Sequence, residues 1–220
     1  MKPTVKLAAF ETDDGLRLEL FEHDGDHEIR CNGLGLMESR KHHSEEELAR
    51  LGLEGVEAGA TVMIGGLGMG YTLRAALDLL PPQARAIQVE LLPAIVEWNR
   101  GPLAHHARYP LDDPRTELVI ADFAQEVARH RGTLDAILVD IDNGPSALVD
   151  EKNAWVYTDP GLTVMRRALA PGGRVAWWSA YDEPGFRARL RSHGFTVEQH
   201  TVHARPNRRG PKYFVLVGAT

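Results

Sequence analysis

The sequence has one cysteine, Cys31, so no internal disulfide can form, and no Cys or His partners at metal-ligand spacing surround it to make a zinc site. Cys31 therefore reads as an ordinary structural residue. No apolar run approaches the roughly 18 to 20 residues a membrane-spanning helix needs, and the start, Met1-Lys2-Pro3-Thr4, lacks the apolar core of a signal peptide. The expectation is a cytoplasmic chain with no membrane partner. Basic charge is not in surplus either: the formal net charge is −6, which disfavours nonspecific binding to phosphate backbones and sets nucleic acid aside as the main partner. Internal repeats and low-complexity segments are absent. What remains is 220 residues, 43% hydrophobic and 25% charged, the balance of a globular protein with room for one α/β core and a small appendage.

The first fifty residues differ from the rest. Lys6 to Phe10, Leu16 to Glu22 and Glu28 to Cys31 are short, partly alternating segments separated by Asp13-Asp14-Gly15 and Asp24-Gly25-Asp26, which is turn chemistry and predicts a small β meander. Ser44 with Glu47 has the spacing of a capping box and predicts a helix running to about Leu51. Residues 1–52 thus form an N-terminal β segment plus helix, and 53–220 the main domain. From Thr61 onward strands alternate with helices, the signature of a parallel sheet covered on both faces. The strands are placed at Thr61–Ile64, Ala86–Glu90, Glu117–Ile120, Leu134–Val139 and Arg174–Trp178; the helices between them at Thr72–Leu80, Pro93–Leu103, Phe123–Arg129 and Tyr157–Leu169. Pro171-Gly172-Gly173 stops the fourth helix. After a helix near Glu183–Ser192, Phe195–Val202 and Tyr213–Val217 follow each other without a helix and should pair as an antiparallel hairpin.

Between the first strand of the main domain and its helix lies Gly65-Gly66-Leu67-Gly68-Met69-Gly70. Glycines let the backbone turn sharply and approach a ligand. The dinucleotide pattern G-x-G-x-x-G would put its third glycine at Tyr71, which argues against NAD. The pattern Gly66-x-Gly68-x-Gly70 instead matches the motif of class I S-adenosylmethionine-dependent transferases, a Rossmann-like fold with a mostly parallel seven-stranded sheet. Three acids follow at strand ends. Glu90 can accept both ribose hydroxyls. Asp122 stands where this fold class recognises the adenine amino group, and equally where a helix N-cap would stand. Asp140 points into the crevice beyond the carboxyl ends of the strands, where a carboxylate can take the proton an attacking amine must lose, or can fix the following loop.

With these residues in place the chain resembles the spermidine synthase-like family over nearly its whole length. The matching features are the N-terminal β segment, the Gly65-Gly66 loop, Glu90, Asp113-Pro114-Arg115, Ala121-Asp122, Asp140 with Gly144-Pro145, Val156-Tyr157-Thr158 and Ala170-Pro171-Gly172-Gly173. The resemblance implies aminopropyl transfer from decarboxylated S-adenosylmethionine to a small amine, a homodimer and no metal. It makes Asp140 the general base and places Asp142, Asn143, Tyr157 and one of the His42-His43 pair, His43, on the substrate side. Three departures stand out. Gly68 occupies the position of the family's acid in G-G-G-D-G-G. Asp140-x-Asp142 with Gly144-Pro145 replaces D-x-x-D-P-x-G-P. The Gln expected in the first strands is missing. These losses fall on groups that hold ammonium ends, so ordinary S-adenosylmethionine and methyl transfer to a small molecule, or a noncatalytic nucleoside-binding module, are the alternatives.

Trp155, Tyr157, Trp177, Trp178 and Tyr181 fall near element ends on the active edge, where aromatic faces can hold a cation or pack a core; Trp177 reads as core. Arg205, Arg208, Arg209 and Lys212 read as a solvated basic turn.

Overall fold

The structure, a computed structural model, describes residues 2–13, 15–141, 144 and 151–220. Four strands, β1 (Val5–Glu11), β2 (Arg17–His23), β3 (Asp26–Cys31) and β4 (Leu34–Glu38), form an antiparallel meander. Its register sets Leu18 opposite Cys31 and Leu20 opposite Ile29, and all four side chains are buried on one face, as strict alternation demands. The fourth strand was not foreseen. Gly33 and Gly35 make the segment after Cys31 read as loop, but Gly33 at φ +81° is the left-handed turn residue of a tight β3–β4 hairpin.

Helix α1 (His43–Gly52) leads to the main sheet. Its start differs from the expected capping box: the N-cap is His42, two residues before Ser44 and without a side-chain cap, and the Ser44 hydroxyl donates to Glu45. Glu47 turns outward to Arg50 at 2.7 Å. Leu48, Ala49, Leu51 and Gly52 face inward, and Gly52 lies so close to the sheet that a Cβ would stand 2.3 Å from Leu138. Each buried leucine here is worth roughly 1.5–3 kcal/mol of transfer free energy.

The main sheet contains β5 (Thr61–Gly65), β6 (Arg85–Glu90), β7 (Thr116–Ile120), β8 (Leu134–Val139), β9 (Leu169–Ser179), β10 (Thr196–Arg205) and β11 (Arg209–Ala219). Their order is β7-β6-β5-β8-β9-β11-β10. The five strands from β7 to β9 are parallel, and β11 runs antiparallel to both neighbours. Helices α2 (Tyr71–Leu79), α3 (Pro93–Arg100), α4 (Phe123–Val127), α5 (Asp159–Ala168) and α6 (Pro184–Ser192) complete the alternation. Strand β9 reaches back to Leu169: Pro171-Gly172-Gly173 ends the helix as expected, yet the strand absorbs it with an irregularity between the pairs Leu134–Leu169 and Ala136–Arg174. The chain reverses its strand order between β5 and β8, and there the carboxyl ends of the strands open a crevice. No helix among the described residues is long and apolar enough to cross a membrane.

Candidate active site

A cavity of about 550 Å³ fills that crevice, within the usual ligand-pocket range of about 300–1,000 Å³. The strand ends supply Glu90, Ala121-Asp122 and Asp140-Ile141. The meander closes the other side with Leu18, Ile29, Cys31 and Met37. The N-terminal segment is therefore a wall of the cavity, and the buried Cys31 lies on that wall.

Three buried polar side chains hold the glycine loop through its backbone. The Leu67 amide donates to Glu90 Oε2 at 2.9 Å, Gln88 Nε2 donates to the Gly66 carbonyl at 2.9 Å, and Asn99 Nδ2 donates to the Gly68 carbonyl at 2.8 Å. The other oxygen of Glu90 accepts from the Leu92 amide at 2.8 Å. Glu90 is 8% exposed and burial pushes its pKa up, against the pull of these amides. A carboxylate has about four lone-pair positions, so with the Leu91 amide also acting on Glu90 acceptor capacity still remains for a ligand's hydroxyl. Gln88 and Asn99 escaped the sequence reading; both sit on apolar faces of regular elements, and a buried amide next to a glycine loop is the signal that would have found them.

The glycines do different things. Gly66 (φ +86°) and Gly68 (φ +51°) line the cavity, while Gly65 and Gly70 do not. A Cβ on Gly66 would stand 2.1 Å from the Asp140 carbonyl oxygen, so glycine is required there by the approach of β8's end. A Cβ on Gly68 would stand 3.0 Å from the Met37 sulfur, Gly65 backs onto Phe123, and Gly70, the left-handed N-cap of α2, backs onto Asn99, Ala107 and Pro110. Asp122 caps α4, accepting from the Gln125 amide at 3.0 Å, and also lines the cavity.

At the other end Asp140 Oδ2 accepts a hydrogen bond from Thr72 Oγ1 at 2.6 Å, and its amide donates to the Gly65 carbonyl at 2.9 Å. Burial pushes the Asp140 carboxyl up to about 6, with Thr72 opposing. Glu45 of α1, 7% exposed, lines the same cavity. Burial first and the charge of Asp140 second push it up to about 8. The sequence reading treated Glu45 only as one of three acids at a helix start. Its position three and four residues before the buried Leu48 and Ala49 puts it on the inward face of α1, and that periodicity was the available signal.

Trp155, Trp178, Tyr181 and Tyr213 also reach the cavity; Trp177 is fully buried, in keeping with its reading as core. Two proposed substrate residues are not brought to the wall. Tyr157 is buried with its ring edge-on to Phe186 at 5.3 Å, and His43 pairs with Glu46 at 3.2 Å. Asp142 and Asn143 lie outside the described residues. Among the described residues no group of three His, Cys, Asp or Glu side chains is placed to hold a metal ion.

No family model matches the chain. A polyamine aminopropyltransferase of Mycobacterium tuberculosis is 31% identical over 152 residues, 65% of this chain and 28% of its own length. Polyamine aminopropyltransferase 2 of Pseudomonas aeruginosa is 33% identical over 119 residues, 52% of this chain and 32% of its own length. Over these stretches the chain is similar to polyamine aminopropyltransferases. It matches only about a third or less of the length of these curated relatives. The fold agrees over nearly the whole chain. A spermidine synthase in complex with the transition-state analogue AdoDATO superposes with a TM-score of 0.78 at 22% identity, covering 97% of this chain and 73% of that one. The spermidine synthase from Thermotoga maritima gives 0.77 at 21% identity, covering 97% and 72%. The seven-stranded, mostly parallel sheet with a terminal antiparallel hairpin and a small N-terminal sheet is thus the spermidine synthase architecture.

Proposed function

We propose that this chain moves an aminopropyl group from decarboxylated S-adenosylmethionine to a small amine. The observation that carries the reading is the placement of Asp140, a carboxylate held by a neutral hydroxyl, in one cavity with the glycine loop and Glu90. In this reading Gly66 and Gly68 pass under the nucleoside, with Gly65 and Gly70 shaping the loop from behind. Glu90 receives the ribose hydroxyls and Asp122 the adenine edge. The residues present suit such a ligand: a buried acid with spare lone pairs, an apolar floor of Ile95 and Phe123, and a cavity of nucleoside size.

The acceptor enters protonated and is not a nucleophile until it loses that proton. Asp140 accepts it, the amine nitrogen attacks the propyl carbon on sulfur, the carbon–sulfur bond breaks, and sulfur leaves with the bonding pair as the neutral thioether. The sulfonium is already a good electrophile, so positioning and desolvation supply most of the acceleration. Asp142 and Asn143 are assigned to the substrate side with the aromatic wall; Tyr157 and His43 would act from behind it. Residues 1–52 form the small N-terminal unit of β segment plus helix and 53–220 the catalytic unit, in a cytoplasmic homodimer. Incubation with decarboxylated S-adenosylmethionine and a panel of diamines should release methylthioadenosine together with an aminopropylated amine. Methylated product from ordinary S-adenosylmethionine, with none from the decarboxylated donor, would refute the assignment.

A further inference from the structure

We propose that Glu45 is a specificity-determining residue of the cavity: it shares one proton with Asp140 in the absence of amine and gives that proton up when a ligand's ammonium group takes its place. The inference rests on the reading of the cavity as an amine-transfer site and names the group that selects for charge.

Glu45 and Asp140 come from different elements, the inward face of α1 and the end of β8, and both line the cavity. Each is held by a neutral hydroxyl, Ser44 on Glu45 and Thr72 on Asp140. Hydroxyls offset only part of the cost of taking two carboxylates out of water. The nearby cations are engaged elsewhere: Lys41 Nζ meets Glu38 at 2.6 Å, His42 Nδ1 meets Glu46 at 2.9 Å, and Arg50 meets Glu47. The groups that feel Glu45's charge, or exert theirs on it, are Asp140, His42, Tyr71 and Tyr213. Of these only His42 can carry a positive charge, and Glu46 holds it. Two buried carboxyls with no cation paired to them among the described residues titrate as a pair that keeps a proton near neutrality.

The remaining neighbours point to the ligand's class. Trp178 and Tyr213 pack at 4.7 Å between ring centroids on the cavity wall, and Trp178 Nε1 has no partner among the described residues. Carboxyl groups beside aromatic rings suit an ammonium ion. When such an ion enters, both carboxyls ionise and one proton leaves to solvent; no covalent bond changes. The site therefore accepts protonated amines and discriminates against neutral alcohols of the same shape.

The test is calorimetric titration of the chain, saturated with methylthioadenosine, with 1,4-diaminobutane in two buffers of different ionisation enthalpy. The expected release is close to one proton per amine at pH 7, shrinking towards zero by pH 9. Glu45→Gln should remove most of that release and weaken amine binding about tenfold. Equal release in wild type and Glu45→Gln, which would mean the proton comes from the amine, overturns the proposal, as does pH-independent release in the wild type. Should Glu45→Gln fail to fold, the wild-type pH series decides alone. Absence of any diamine binding sinks this inference and the amine-transfer reading together; binding without Glu45-dependent release sinks this inference only.

Discussion

The two ends of the cavity are built on opposite principles. At the nucleoside end the acids are anchored by the backbone: Glu90 takes the Leu67 and Leu92 amides, and Asp122 takes the Gln125 amide. At the proposed transfer end Asp140 takes the Thr72 hydroxyl, and Glu45 takes the Ser44 hydroxyl and its own backbone amide. Backbone amides favour the ionised acid and at Glu90 offset part of the burial that still pushes its pKa up; at Asp140 only the Thr72 hydroxyl opposes burial. In the proposed reading the nucleoside end receives neutral hydroxyls and the transfer end exchanges a proton for a cation. The largest break in this comparison should come from Asp140→Asn. The amide keeps the shape and loses the basicity, so turnover should fall ~10²–10⁴-fold while nucleoside affinity stays nearly intact. Parallel loss of nucleoside affinity, read by calorimetry, would move Asp140 to the donor side.

Gly66 is where the two ends touch. A methyl group there meets the Asp140 carbonyl and also has to live at φ +86°, so Gly66→Ala should cost about 3 kcal/mol of stability and displace the acid. For a chain of this size each kcal/mol moves the melting temperature by roughly 2–4 °C. An unshifted melt with full activity would show that the loop and β8 are less tightly coupled than their contact implies. At the nucleoside end, Glu90→Ala should weaken nucleoside binding by about 1.5–3 kcal/mol through loss of charge-assisted hydrogen bonds, and Glu90→Gln by less. The amine titration should keep its proton release in either variant, because the two ends are held separately.

The nucleoside end was far more legible in the sequence than the transfer end. Glycines and strand-end acids advertise themselves at fixed spacing, and the alternation from Thr61 onward fixes which strand each acid follows. The gly-loop residues were read as ligand contacts, whereas Gly70 and Gly65 serve packing; a sequence shows that a Cβ is excluded without showing what excludes it. At the transfer end the decisive acid lies in Ser44-Glu45-Glu46-Glu47, where three identical side chains have three fates. Glu46 goes to two histidines, Glu47 to Arg50, and Glu45 inward. Only tertiary packing of α1 against the sheet separates them. The β4 strand was hidden for a related reason, since two glycines outweighed its alternation until β3 offered a partner.

Stability against pH should also divide along these lines. Glu45 is pushed from the ordinary carboxylate range up to about 8, so the folded chain holds a proton that the unfolded chain gives up. Stability from this group is full below about pH 4.5 and is lost as pH rises towards 8. Glu45→Gln should remove that loss, leaving the variant about 3–6 °C more stable than wild type at pH 8.5 by thermal melting. Identical melting curves across this range would mean that Glu45 ionises freely in the fold.

The smallest expected effect has the opposite sign and comes from the N-terminal sheet. His27 Nδ1 lies 2.7 Å from His106 Nε2, which requires one N–H and one lone pair, so the contact cannot stand with both rings fully protonated. Burial lowers both pKa values, His105 adds to the fall at both rings, and His27 adds to the fall at His106, which reaches about 4. Asp26 opposes at both rings and Glu22 at His27, while His42 adds slightly to the fall at His106. The unfolded chain takes up protons below about pH 6.5 that the folded chain refuses, so this contribution is full above that pH and is lost as pH falls towards 4. His106→Gln keeps a hydrogen-bonding group without the titration. Its melting temperature should therefore fall less steeply than that of wild type between pH 6.5 and 4.5, by a few degrees, on the order of 1 kcal/mol after solvent screening of a partly exposed ring. The window stops at pH 4.5 because Asp113, held down to about 2 chiefly by its hydrogen bonds with Arg115, loses its own contribution below that. Curves that run parallel would show that the meander is attached to the main domain by its apolar face alone, through Leu18, Leu20 and Ile29, and that the histidine pair is a passenger.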